Sequence, residues 1–181
     1  GATDEVDSDI NTSTGLSDLF TINNDYISSI DAGMEQNSFP EMNVVGNGNS
    51  IPDGDTSPGT ADDTDFGSLS AVSGSVIHTF TIDNAGGSAN LTLNGSPLVE
   101  ISGTNAADFT LTTAPALTTL TTAQTTTFQI TFDPIDNGLR SAVLSISNND
   151  ANENPYDFDI QGTGLAPEIS FQGNGQDITS G

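Results

Sequence analysis

Apolar and polar residues alternate in short runs over much of the chain. The runs are Val76, His78, Phe80 and Ile82; Phe128, Ile130 and Phe132; Val143 with Leu144 and Ile146; and Phe158 with Ile160. A period of two over about four to eight residues is typical of β-strands that bury one face. The runs therefore predict half-buried strands, whose large phenylalanine rings fill the space between two sheets.

Clusters of Asn, Asp, Gly and Pro separate the runs and predict tight turns. They are Asn84-Ala85-Gly86-Gly87, Asn94-Gly95-Ser96-Pro97, Asp136-Asn137-Gly138 and Asn148-Asn149-Asp150. Such residues tolerate positive φ or form Asx turns, and short strands at this spacing favour a β-sandwich. Pro134 should end the strand before it, because proline cannot donate to a ladder. Gly162 and Gly164 should close the last strand, and residues 105–109 should form one short helical turn.

A segment near residue 40 occurs a second time near the end of the chain. Residues 40–51 read PEMNVVGNGNSI and residues 167–178 read PEISFQGNGQDI, an offset of 167 − 40 = 127 residues. The same offset maps Gly54 onto Gly181, and the identical positions are Pro, Glu, Gly, Asn, Gly, Ile and the final Gly. Ungapped agreement of this kind indicates an internal repeat, whose unit has the usual size of one sandwich domain.

The repeat sets the predicted domain boundaries. Residues 36–166 are predicted to form one sandwich repeat, and residues 167–181 the first strand of the next copy. Residues 1–35 differ in character and are predicted to be the C-terminal fragment of a preceding β-sandwich domain. Both ends are thus expected to be extended β segments cut from a longer polypeptide. The junction at Pro167 is expected to be stiff, because proline also restricts the residue before it.

The charge balance limits what the chain can bind. The net charge is −24, from 25 acidic residues against the single basic residue Arg140. This balance excludes nucleic acid, whose phosphates need Lys and Arg, and it argues against anionic membrane surfaces. No apolar run is long enough to insert into a membrane, and there is no cysteine for disulfides or thiolate metal sites. The repulsion within a compact state must be offset by salt or bound cations.

Several stretches follow one another in an order that is similar to a known repeat. They are EMNVVGNG from Glu41, TDFG from Thr64, HTFTIDN from His78, ISGTNAADF from Ile101, FQITFDP from Phe128, NND from Asn148 and NPYDFDIQGTG from Asn154. Together they resemble the choice-of-anchor D type repeat of bacterial surface proteins, which is related to the immunoglobulin-like domains of the abnormal-spindle and Hydin type. The resemblance covers nearly all of 40–166. It implies an immunoglobulin-like sandwich in an extracellular setting, without catalytic activity.

The N-terminal piece has a separate resemblance. Its motifs are Asp7-Ser8-Asp9, Gly15-Leu16 with Phe20, and Ile30-Asp31-Ala32-Gly33. They are similar to the end of the B-type domain of serine-aspartate-repeat cell-wall adhesins, a calcium-binding β-sandwich. An incomplete sandwich cannot bury its own core. Residues 1–35 must therefore pack on the repeat, pair with another chain or be disordered in isolation.

An acidic loop at 47–65 is the main candidate for chemistry. Its candidate calcium ligands are Asn47, Asp53, Asp55, Asp62, Asp63 and Asp65. Calcium takes about six to eight oxygen ligands from flexible loops, and this composition supplies them. The spacing does not match the pattern of an EF-hand. The alternative is a solvated connector in an acidic protein.

Two further acidic sets lie elsewhere in the chain. The first is Asp4, Glu5, Asp7 and Asp9 with Asp31, and the B-type resemblance makes Asp7, Asp9 and Asp31 candidate calcium ligands. The second is Asp150, Asn152, Glu153 and Asp157 beside a predicted hairpin turn. There an ordinary turn is favoured over a binding site.

The sequence offers little that catalysis would need. His78 is the single histidine and lies in an alternating strand, so it is predicted to pack across strands rather than to act in a triad or a metal site. Arg140 is predicted to pair with a neighbouring carboxylate. Paired carboxylates act in glycosidases, but tryptophan is absent and Tyr26 and Tyr156 are far apart in sequence. We therefore predict that the chain is not an enzyme.

The sequence leaves three functional hypotheses open. The leading one is a structural repeat module of an extracellular bacterial surface adhesin or stalk, stabilised by calcium at the acidic loops. The second is a subunit of an extracellular filament, in which the chain ends pair with sheet edges of neighbouring copies. The third is a module that binds a glycan or a protein through the loops at the ends of the sandwich.

Overall fold

The computed structural model describes residues 38–167 and, beyond them, the backbone of 171–173 and 176–178. The unit that contains these residues begins at Ser38. Residues 1–35, predicted to be a fragment of a preceding domain, lie outside the described part. The strands are β1 (Asn43–Gly46), β2 (Asn49–Ile51), β3 (Asp65–Ser70), β4 (Val76–Asp83), β5 (Leu91–Thr92), β6 (Glu100–Ser102), β7 (Phe109–Thr113), β8 (Thr119–Leu120), β9 (Thr125–Phe132), β10 (Gly138–Ile146), β11 (Tyr156–Leu165), β12 (Phe171–Gly173) and β13 (Gln176–Ile178).

Two sheets pack face to face around one core. The larger sheet has the strand order β2-β1-β4-β9-β7, and all neighbours in it are antiparallel. The smaller sheet has the order β3-β11-β10-β6, in which β3 runs parallel to β11. Strands β5 and β8 form a separate short ladder. The predicted all-β, immunoglobulin-like sandwich is confirmed. Within the described residues, no helix has the length and apolar character needed to cross a membrane.

Inward-facing side chains alternate along the strands as the sequence predicts. Phe80, Phe128, Phe132 and Phe158 are all buried, and the rings of Phe80 and Phe128 stack with centroids 5.3 Å apart. Buried apolar residues from both sheets form one cluster. Removing this apolar surface from water is the main favourable term in packing the two sheets together.

Turns close the strands where the polar clusters and prolines predict. A further turn, which the predicted clusters did not include, joins β1 and β2 at Asn47 and Gly48. Their φ values of 48° and 78° are those of the type I′ turns that match strand twist. Strand β9 ends at Phe132, directly before Asp133 and Pro134. The predicted helical turn is present as one 3₁₀ turn at Ala106–Asp108.

The glycines of β11 have a different role from the predicted one. The strand continues to Leu165, so Gly162 and Gly164 lie within it and do not close it. A Cβ atom on Gly162 would lie 2.4 Å from the Phe132 ring, and one on Gly164 would lie 2.0 Å from the Asp136 carbonyl oxygen. Glycine is required at both positions because the ring and the loop fill the space that a side chain would need.

The hairpin of β12 and β13 has the same register as the hairpin of β1 and β2. Val44 pairs with Ile51 in the first, and Phe171 pairs with Ile178 in the second, an offset of 171 − 44 = 127 residues. Strand β1 also pairs with β4, whereas β12 and β13 form a sheet of two strands among the described residues. The repeated sequence thus adopts the same local structure twice. The domain boundaries inferred from the repeat stay a prediction.

The chain enters and leaves the sandwich at opposite ends. Residues 38–42 lead into β1, whose first residue pairs with the last residue of β4, and we call this the entry end. The loop 147–155 between β10 and β11 lies there too, because the Met42 N–H donates to Asp150 Oδ2 at 2.9 Å. The exit end holds the other end of β4, the loop 133–137 and the last residues of β11.

Candidate functional site

The acidic loop lies along the edge of the smaller sheet. The Gly54 N–H donates to the Asp157 carbonyl at 2.7 Å, and the Asp159 N–H donates to the Asp55 carbonyl at 2.8 Å. Asp55 thereby forms a parallel bridge beside β11. The loop therefore continues the edge that β3 occupies further along, while Asp53, Thr56 and Ser57 within it stay exposed to solvent.

The first two predicted calcium ligands of the loop bind separate N–H groups. Asp53 Oδ1 accepts a hydrogen bond from the Asp157 N–H at 2.8 Å. Asp55 Oδ1 accepts one from the Ser57 N–H at 2.9 Å. These carboxylates satisfy backbone donors of an edge segment, which is the ordinary role of Asp in turns.

The next two carboxylates are engaged in the same local way. Asp62 Oδ1 accepts from the Thr64 N–H at 3.2 Å and from its hydroxyl at 2.6 Å. Asp65 Oδ1 accepts from the Gly67 N–H at 2.8 Å, and its Oδ2 accepts from the Gln161 amide at 2.8 Å. Asp62 therefore closes a turn within the loop, and Asp65 links the start of β3 to β11.

Asn47 and Asp63 complete the loop's candidate set. The Asn47 side-chain amide donates to the Ala61 carbonyl at 3.2 Å. Asp63 has a φ of 62°, a left-handed conformation that Asp adopts more readily than most residues, and its carbonyl oxygen lies 2.7 Å from His78 Nδ1.

Four of the six predicted ligands of the loop accept hydrogen bonds from backbone N–H groups: Asp53, Asp55, Asp62 and Asp65. In the part of the chain that the structure describes, no group of three or more His, Asp or Glu side chains is placed to hold a metal ion. The other candidates, Asp7, Asp9 and Asp31, lie outside the described residues. Calcium binding by the chain stays a prediction.

Four carboxyl side chains line an open pocket at the entry end. Glu41, Asp53, Asp83 and Glu153 surround it, and its volume is about 620 Å³. They come from four segments: the residues before β1, the loop after β2, the end of β4 and the loop between β10 and β11. The fold therefore collects negative charge at the end where the chain enters the sandwich.

Glu153 carries a shifted pKa in this pocket. Burial raises the pKa of Glu153 to about 7, and the charges of Asp150, Glu41 and Asp53 add to the effect. Its Oε2 atom is buried and has no hydrogen-bond partner among the described residues. A carboxyl group with this pKa is partly protonated near neutral pH, so the pocket holds less charge than its carboxyl groups would carry separately.

The sequence did not indicate this pocket. It favoured an ordinary turn at Asp150, and the turn is present, since the Asp150 N–H donates to Asn148 Oδ1 at 2.7 Å. The turn also places Glu153 near Glu41 and Asp53, which precede it by about a hundred residues. No local pattern can report such a distant approach.

His78 has the packing role that its strand position predicts. Its ring stacks on Phe66 with centroids 4.1 Å apart and an angle of 15° between the planes. Together with the contact to the Asp63 carbonyl, this fixes the imidazole between the larger sheet and the acidic loop.

Arg140 pairs with a carboxylate, as predicted. Its Nε donates to Asp108 Oδ2 at 2.6 Å, and the Asp108 side chain is fully buried. Asp108 Oδ1 also accepts from the Ile135 N–H at 2.8 Å. The pair therefore joins the 3₁₀ turn, the loop 133–137 and β10 at the exit end.

Comparison with known proteins reveals structural likeness but no family. No family model and no curated protein match the chain. A protein of unknown function from Porphyromonas gingivalis is 20% identical over 55% of this chain and 42% of its own, with a TM-score of 0.45. The secreted serine protease VesC from Vibrio cholerae is 16% identical over 56% of this chain and 21% of its own, with a TM-score of 0.44. A PapD-like domain of human CEP192 is 14% identical over 81% of this chain and 100% of its own, with a TM-score of 0.41. The chain thus spans less than half of the first two proteins.

Proposed function

We propose that the sandwich is a structural repeat module of an extracellular bacterial surface adhesin or stalk, in which copies are joined end to end. The supporting observation is that the chain enters at one end and leaves at the other. When the chain enters and leaves at opposite ends, successive copies follow one another in a line. If both points lay at the same end, each copy would fold back on the one before it.

The two hairpins add to this support. The β12–β13 hairpin follows the sandwich directly and has the pairing register of the hairpin that opens it. A second copy of an opening hairpin is what a tandem array requires. The resemblance of 40–166 to repeats of bacterial surface proteins agrees with the same organisation.

The proposed role depends on shape and connection and needs no catalytic group. The net charge of −24 keeps neighbouring stalks soluble and apart. Cations of the surrounding medium, calcium among them, would offset the repulsion within each copy. The single histidine, His78, stacks on Phe66.

Small-angle X-ray scattering on a lengthened chain tests the end-to-end arrangement. In the lengthened chain, residues 40–166 are inserted a second time after Ala166, so that the new junction again reads Ala-Pro. The maximum dimension should grow by roughly 33 Å, the length of a ten-residue strand such as β11 at about 3.3 Å per residue. Growth of only a few ångströms would mean that copies pack side by side and would contradict the proposal. Protease treatment of intact cells that make the parent protein tests its exposure at the surface.

A second candidate function is assembly into filaments by strand exchange. The observation in its favour is that β12 and β13 pair with no further strand among the described residues, while the equivalent strand β1 pairs with β4. The hairpin of one chain would then complete a sheet in its neighbour through main-chain hydrogen bonds.

Deleting residues 167–181 separates the two candidates. Strand exchange predicts concentration-dependent filaments in the whole chain and monomers in the shortened one. The end-to-end module predicts that both are monomers in light scattering.

A further inference from the structure

Large exposed aliphatic side chains are concentrated at the exit end. Val72, Ile135, Leu139 and Leu165 are 69%, 68%, 62% and 48% exposed, and we call these four residues the exit-end patch. Single exposed apolar residues are ordinary on protein surfaces. A group of them at one end of a strongly acidic protein is not, and such groups mark contact surfaces.

Strand register places two members of the patch side by side. Leu139 pairs with Thr163 in the smaller sheet, so Leu165 lies on the diagonal from it, at about 7–8 Å on the same face. Both side chains point away from the core, because the alternate residues of these strands are buried. Their spacing lets one partner cover both.

The loops at the exit end bring in the other two members. The Ala71 N–H donates to the Leu165 carbonyl at 2.9 Å, which holds Val72 next to the end of β11. Ile135 lies in the loop that joins β9 and β10, and the backbone of that loop packs against Gly164. All four members therefore lie at the exit end of the sandwich.

The length of the following linker limits what can cover the patch. Strand β11 ends at Leu165 and β12 begins at Phe171. A chain of this length reaches at most about 20 Å, at roughly 3.3–3.6 Å per residue. A copy that begins with the β12–β13 hairpin therefore has its entry end close to the patch. Such tethering corresponds to an effective concentration in the ~mM range.

The short linker favours this tethered copy over a separate molecule. Two free chains, each with a net charge of −24, repel one another as they approach. The linker offsets part of this cost, because it holds the next copy near the patch at any protein concentration. The Arg140–Asp108 pair beneath the patch is internally neutralised, so the charge of Arg140 is already balanced within the fold.

We propose that the exit-end patch is the docking surface for the entry end of the next copy of the sandwich. This inference rests on the proposed function, because it requires a further copy after Pro167. Docking would make the junction rigid, and each sandwich would stabilise the one that follows it.

The test compares the whole chain with the lengthened chain that carries residues 40–166 twice. Leu139→Thr with Leu165→Thr is introduced into the first copy, since threonine keeps the strand propensity and adds no charge. Leu117→Thr serves as the matched control, because Leu117 is a partly exposed aliphatic residue outside the patch. Calorimetry measures melting, and scattering measures the spread of distances between the two copies.

The proposal expects the lengthened chain to melt several degrees above the whole chain. The patch variant should lose this gain and broaden the distance distribution, while the control keeps both. Two results would overturn the docking surface and leave the end-to-end module standing. In one, the lengthened chain is elongated but melts at the same temperature as the whole chain. In the other, the patch substitutions lower the melting temperatures of both chains equally. A compact lengthened chain would overturn the module itself.

Discussion

Replacing Arg140 by methionine tests whether the internal ion pair holds the exit end together. Arg140 Nε donates to Asp108 at 2.6 Å, and the Asp108 side chain has no exposed surface. Methionine keeps much of the length and the apolar stem of arginine but removes the charge. The Asp108 side chain would then still accept a hydrogen bond from the Ile135 N–H.

The expected loss of stability follows from the burial of Asp108. Removing one partner of a buried ion pair costs about 3–5 kcal/mol, because the other charge is left uncompensated. The arginine side chain is 16% exposed, so water can reach the position that the guanidinium group leaves. We therefore expect a loss of stability at the lower end of this range, about 3 kcal/mol. That is a large part of the ~5–15 kcal/mol that a typical domain has. It corresponds to a fall in melting temperature of roughly 10 °C.

Urea unfolding followed by far-UV circular dichroism measures this loss, because the chain has no tryptophan for fluorescence. The double variant Asp108→Asn with Arg140→Met should recover at least half of it, since no buried charge is left. Arg140→Lys should be intermediate, because lysine keeps the charge but not the planar donor group. A loss below about 1 kcal/mol for Arg140→Met, or a double variant no more stable than the single one, would refute the reasoning.

Three further changes give separate tests. The pKa of Glu153 is about 7 in the folded protein, against 4.5 for an unperturbed glutamate, so its contribution to stability falls as pH rises from about 4.5 to 7. Glu153→Gln should therefore raise the melting temperature at pH 8 and leave it unchanged at pH 4; an equal effect at both values would contradict this. Gly162→Ala should destabilise by about 1–3 kcal/mol in urea unfolding, because its Cβ meets the Phe132 ring, whereas Gly59→Ala, which meets only ordinary contacts, should cost less than half as much. Sodium chloride should raise the melting temperature by screening the net charge. Calcium chloride at equal ionic strength should raise it further, and equal melting temperatures in the two salts would remove the calcium proposal.

The strands and core of the sandwich could be predicted because their information is local. Phe80 and Ile82 face inward for the same reason, a period of two that any half-buried strand imposes. The turn at Asn47 and Gly48 is likewise fixed by residues that accept positive φ. The β12–β13 hairpin could also be predicted, because an ungapped repeat preserves the register of the first hairpin.

The candidate site could not be predicted because its contacts join distant parts of the chain. Composition predicts a calcium site in the acidic loop, but it does not show that Asp53 accepts a hydrogen bond from the Asp157 N–H or that Asp65 accepts one from Gln161. The role of Gly162 depends on a ring thirty residues away in sequence. Such arrangements follow from how the sheets pack, and the alternating pattern does not encode them.

The opposite positions of entry and exit also decide how the sandwich responds to pulling. Tension between its two ends acts along β11, which is hydrogen-bonded to β10 over nine residue pairs and to β3 on its other side. Ladder hydrogen bonds lie across the strand direction, so this load shears many of them together instead of peeling them apart one at a time. Resistance to force is then set by the rate of unfolding and not by equilibrium stability, a property suited to a part that carries mechanical load.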